Sequence, residues 1–274
     1  KYQQRANSWM LMVASFGFVI STLPVQILLP MIGWRSIFLL ISILILLSII
    51  LILVFTPSWN NNPKNTITQD KGNLSDVWKN KFFISLIPLC FLNYGGVQAV
   101  QTLWAGPWML NVAGYSPLDS ATGLFWINIT MLFAFMFWGY ILPKFSSLGI
   151  DSIKIVKIGL PISYVVLFSI IIMGQNAGAI MFTLYILSSI VLSLTQPALA
   201  LSFPQNLAGK SLTSINVFIH SGTFFVQWGI GLLIDLSKNM GANTVTSYKI
   251  SFSIFLILCI FSYLFFIYFN KNEN

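Results

Sequence analysis

The chain has 274 residues, 57% of them hydrophobic and only 7% charged, with a net charge of +8. A soluble domain carries about 25% charged residues, so a water-facing surface cannot be covered here and the apolar excess is expected to face lipid. The basic residues fall in short clusters between apolar runs, which excludes a nucleic-acid-binding patch, and Cys90 and Cys259 lie inside such runs, which excludes a disulfide framework or a zinc site.

The chain opens Lys1-Tyr2-Gln3-Gln4-Arg5 and enters an apolar run too long for a cleavable signal peptide. Because it starts with Lys rather than Met, it is expected to be a segment of a longer product. Spanning-length apolar runs follow at residues 9–29, 37–55, 82–103, 122–142, 156–173, 179–201, 214–236 and 250–269. Each is near the roughly 20 residues a helix needs to cross a bilayer. A β-barrel would instead show strictly alternating segments of about ten residues. The expected fold is an all-α integral membrane protein with about eight transmembrane helices.

Residues 56–76 are polar and rich in Asn, Pro, Gly and Thr, and carry no helical pattern. Residues 74–81 then mix basic and aromatic side chains, with Trp78 expected at headgroup level. This divides the chain into two spans (residues 1–55), a linker (56–81) and six spans (82–274). Eight spans put both termini on one side. That side holds Lys1, Arg5, Lys64, Lys71, Lys79, Lys81, Lys144, Lys154, Lys157, Lys210 and Lys271; the other holds only Arg35, Lys238 and Lys249. The positive-inside rule therefore places both termini in the cytoplasm and the protein in the cytoplasmic (inner) membrane. Six spans after a cytoplasmic linker make one complete half of a transporter built from two six-helix bundles. A weak repeat agrees with this: Arg5 precedes Gly17 by the same interval as Lys210 precedes Gly222.

Polar side chains within spans need partners, so their placement is informative. In the seventh span Asn216, His220, Thr223 and Gln227 recur at i, i+4, i+7 and i+11, which is one helical face. They either line a water-filled path or bond to neighbouring helices. His220 is the sole histidine; it either titrates near neutral pH and couples protons to transport, or stays neutral and bonded to another helix. The sixth span carries Tyr185, Ser189, Ser193 and Gln196, followed by Pro197, which removes a backbone bond and bends the helix. The third carries Tyr94, Gln98 and Gln101 beside Gly95-Gly96, the fourth Asn128 and Thr130, and the first Ser15, Thr22 and Gln26. Trp104 and Trp108 at the mouth of the third span belong to an interfacial aromatic belt or stack on a flat solute. The acidic residues Asp70, Asp76, Asp119, Asp151, Asp235 and Glu273 all fall in loops, in the tail or near span ends. No nucleophile–base pair, metal cluster or phosphate loop is visible, so neither an enzyme nor a cofactor is expected. The candidate solute-binding set is Gln98, Gln101, Asn128, Gln196, Asn216, His220, Thr223 and Gln227.

Four stretches in order resemble the major facilitator superfamily, read as its fifth to twelfth helices. Gly33-Trp34-Arg35-Ser36-Ile37-Phe38 resembles the turn that joins the fifth and sixth helices. Residues 101–108, Gln-Thr-Leu-Trp-Ala-Gly-Pro-Trp, resemble the outer end of the seventh helix in one bacterial branch. Phe203-Pro204 through Gly209-Lys210, and Gln227-Trp228-Gly229-Ile230-Gly231 followed by Asp235, resemble that branch's turn between the tenth and eleventh helices and its eleventh helix. The second-half copy of the charged signature reads Gly139-Tyr140-Ile141-Leu142-Pro143-Lys144, with Pro143 where Asp is expected. Gly17, Ser21, Thr22 and Pro24 lack the paired glycines of the antiporter motif, which argues against a drug–proton antiporter. The resemblance implies a permease moving a small solute by alternating access, with protons as one coupling candidate, and implies a need for four further helices upstream. The alternatives are a non-transporting receptor or assembly subunit, and a non-functional truncated permease.

Overall fold

In lipid a helix satisfies its own backbone polar groups, and in the computed structural model the regular elements among the described residues (2–56, 73–147 and 151–270) are all helices. The greater part of the linker, residues 57–72, lies outside the described residues, as do Lys1, Lys64, Lys71 and Lys271.

The expected first span is broken. Helix α1 (Tyr2–Ile20) ends at a turn, and α2 (Leu23–Phe55) resumes after Thr22. The Ser21 hydroxyl donates to the Phe18 carbonyl at 2.9 Å and that of Thr22 to the Val19 carbonyl at 2.8 Å. These bonds compete with the backbone ladder, and Pro24 brings no N–H to it. A second break lies inside α2 at Gly33, with φ 73° and ψ 160°. A side chain tolerates that φ poorly, so the Gly-Trp-Arg turn is a glycine corner. Beyond it residues 34–55 form an arm that is apolar all round and almost wholly exposed, as befits a helix facing lipid.

Helix α3 (Leu74–Lys79) is one short turn-and-a-half closed by a capping box between Asn73 and Asp76. Trp78 on it is 45% exposed and meets Phe83 and Phe218 edge-on. Six long helices follow: α4 (Lys81–Asn111), α5 (Pro117–Ser147), α6 (Ser152–Met173), α7 (Ala179–Leu201), α8 (Gln205–Asn239) and α9 (Thr244–Asn270). Together with α2 they are the seven helices among the described residues long and apolar enough to cross a membrane. The eighth apolar stretch is α1 with the first turns of α2.

The six run up and down. At one end the Trp108 indole N–H donates to the Ala177 carbonyl, and Lys249 Nζ to that of Ile172. At the other, Asn270 donates to Ser85 Oγ and Tyr263 to the Lys157 carbonyl. Lys79, Lys81, Lys144, Lys154, Lys157 and Lys210 belong to this second, basic end. Trp108 is fully buried against Phe182, Tyr248 and Phe252. It is a core residue, which corrects its sequence reading as a belt or stacking side chain; the Gly174 turn leaves the Ala177 carbonyl free for its N–H.

Two further features hold the bundle. Where α4 crosses α8, a Cβ on Gly95 would lie 2.6 Å from the Ile219 carbonyl oxygen, and one on Gly222 would collide with that of Phe91. Small residues at such crossings let backbones touch. Nearby, the Tyr164 hydroxyl donates to Asn93 Oδ1 at 2.8 Å while Asn93 Nδ2 donates to Ser262 Oγ at 2.7 Å, tying α4, α6 and α9 through buried polar groups.

Candidate functional site

The polar residues gather along the seam where α1 and the start of α2 lie against α4, α5 and α7. Helix α4 is unwound twice into π geometry, over Cys90–Tyr94 and Val100–Trp104. A π turn adds one residue and rotates everything beyond it, and such turns are frequent at functional sites. Here Gln98 turns to α8 while Gln101, three residues on, turns to α5. The Gln101 Nε2 donates to Asn128 Oδ1 at 2.7 Å and to the Met131 sulfur at 3.3 Å. Asn128 Nδ2 reaches the Phe18 carbonyl of α1 at 3.5 Å.

Helix α7 narrows to 3₁₀ geometry over Ile190–Leu194, just before Gln196 and Pro197. Pro197 cannot donate to the Ser193 carbonyl, so the turn before it tightens. This presents Ser189 and Ser193 to the seam.

Two cavities result. One, of about 80 Å³, lies at mid-bundle between Ser15, Phe18, Tyr94, Gln98, Gln101 and Ser193. The other, of about 360 Å³, lies toward the end opposite the basic one and is lined by Ser21, Thr22, Gln26, Gln101, Thr102 and Asn128. Phe18 and Gln101 border both. The Gln101–Asn128 bond thus stands at their junction. Among the described residues, neither lining contains a charged side chain or the histidine.

Of the residues picked from sequence, Gln98, Gln101 and Asn128 meet in this seam, with Tyr94, Ser15, Thr22 and Gln26 beside them. Gln196 donates to Asn216 Oδ1 at 2.8 Å, closing α7 on α8. Thr223 donates to Gln98 Oε1 at 3.1 Å and Gln227 to Thr102 Oγ1 at 3.0 Å. Three residues of the α8 stripe, Asn216, Thr223 and Gln227, therefore bond α8 to its neighbours, and none of its four residues borders either cavity. His220 is exposed and makes no hydrogen bond among the described residues. Sequence reasoning passed over Phe18, Met131 and Phe135, apolar residues in apolar runs; only their position at the seam marks them.

No curated protein matches the chain. The family model for the Major Facilitator Superfamily matches residues 1–227, a run that takes in α1 through most of α8 and every residue of the seam, and the chain belongs to that superfamily of membrane transporters.

Proposed function

We propose that the chain carries most of a secondary permease that moves a small solute by alternating access. Residues 1–55 are the last two helices of one bundle, 56–81 the connecting linker, and 82–274 the whole of the second bundle. The observation that carries this reading is the position of the two cavities. They lie between α1–α2 and the six later helices, where rocking of one bundle on the other would open and close them. The neutral amides at the junction hydrogen-bond a solute without fixing its charge. The drive is an ion gradient or the solute's own gradient. The excess of lysines at one end supports a cytoplasmic position for that end, in the inner membrane.

Ser193 tests this directly. The two cysteines are buried, so a cysteine-free background with Ser193→Cys gives one reporter in the mid-bundle cavity. A membrane-impermeant maleimide is expected to label it from either face of the membrane. Excess solute on one side should shift which face succeeds. Labelling from one face only, under every condition, would contradict alternating access.

A further inference from the structure

We propose that α6 and α9 hold the headgroup of an anionic phospholipid on Lys154 and Lys157, with an acyl chain laid along the exposed face of α6. The proposal does not depend on the permease reading. The site also lies off the seam, since α1 and α2 pack chiefly on α5.

The placement of Lys157 is built by its neighbours. Pro161, one turn on inside α6, has no N–H to give the Lys157 carbonyl. The Tyr263 hydroxyl of α9 donates to that carbonyl instead, at 2.6 Å. One turn further along α9, the Phe266 ring centroid lies 6.0 Å from Lys157 Nζ, which is within cation–π reach. Backbone and ammonium group are thus both held against α9, while the residue stays partly exposed.

Charge calls for an anion here. Lys154 and Lys157 stand three residues apart, so their ammonium groups are neighbours on the helix and repel. Lys154 is also in the first turn of α6, at the positive end of the helix dipole. Asp151 is the closest acid in sequence, and among the described residues neither lysine makes an ion pair with it or with another carboxylate. A phosphate between the two ammonium groups relieves their repulsion through charge-assisted hydrogen bonds. The rest of the face makes that phosphate a lipid's. Lys154, Ile158, Ile162 and Val165 recur at i, i+4, i+8 and i+11, one face of α6, and all four are exposed. The stripe runs from the basic end into the membrane span, so a headgroup on the lysines sets its chain on the three apolar residues, as in other basic sites between membrane helices.

Native mass spectrometry of the whole chain in detergent tests this, with dioleoylphosphatidylglycerol (anionic) and dioleoylphosphatidylcholine (zwitterionic) as titrated lipids. The anionic lipid is expected to bind the more tightly. Lys154→Gln with Lys157→Gln should weaken its binding by about thirtyfold and leave phosphatidylcholine unchanged, whereas the paired changes to Arg should retain it. Lys79→Gln removes a lysine from the same end and should change neither lipid. Tyr263→Phe keeps every charge but releases Lys157, so it should lose part of the preference for the anionic lipid. Equal binding of the two lipids by the native chain would overturn the proposal. So would folded glutamine variants that keep the preference, or a loss from Lys79→Gln as large as from the pair. Inorganic phosphate binding as tightly as phosphatidylglycerol would overturn the assignment to a lipid.

Discussion

At Gly222 the two backbones of α4 and α8 meet, and a side chain there would have to displace the Phe91 carbonyl. Backbone cannot swing aside as a rotamer can, so Gly222→Ala is expected to cost at least the 1–3 kcal/mol of about one overpacked site. Gly17 is the contrast: a Cβ there meets nothing within 4 Å, so Gly17→Ala, inside helix α1, should hold stability or raise it by up to about 1 kcal/mol. Thermal unfolding in detergent reads both, and equal effects would contradict the close crossing. Asn93 is the other residue of consequence. Asn93→Leu would leave the Tyr164 hydroxyl only the Cys259 carbonyl at 3.4 Å and Ser262 without its donor, at a cost of about 1–3 kcal/mol; the double change with Tyr164→Phe should restore part of it. His220 lies off both cavities, so His220→Gln should leave the pH profile of transport unchanged. A flattened profile would return the histidine to the mechanism.

At the scale of the element, the irregular turns matter most. Pro197→Ala would let residue 197 donate to the Ser193 carbonyl and relax Ile190–Leu194 toward α geometry. Stability is expected to rise and transport to fall, because Ser189 and Ser193 would rotate from the seam. A rise in stability with unchanged flux would show the tightened turn to be incidental. The helices themselves were legible from apolar runs, and the sixth span was read as residues 179–201, the observed Ala179–Leu201. The break after Ile20 was signalled by Ser21, Thr22 and Pro24, which bond back or withhold an N–H; hydropathy alone runs straight through them. The two π segments of α4 lie beside Pro88 and Pro107, but a proline does not say whether the turn near it widens or tightens; that is fixed by what packs around it.

For the whole molecule, the polar residues of the third and fourth spans were legible as site candidates because an amide inside lipid demands a partner. Which partner it finds is a property of helix order and rotation. That is why the α8 stripe, as regular in sequence as any, bonds to α4 and α7, while the less regular Gln101 and Asn128 meet at the cavity junction. Trp108 shows the same limit, since a tryptophan near the end of a span suits the headgroups and the core equally well. Alternating access requires motion at the seam between α1 and α5. Nitroxide pairs at Met10 and Phe137, toward the basic end, and at Ile27 and Leu118, toward the other, report it by pulsed electron resonance in liposomes. Alternating access predicts that solute shifts the two distances in opposite directions, one widening as the other narrows. Two distances that stay fixed, or widen together, would contradict it.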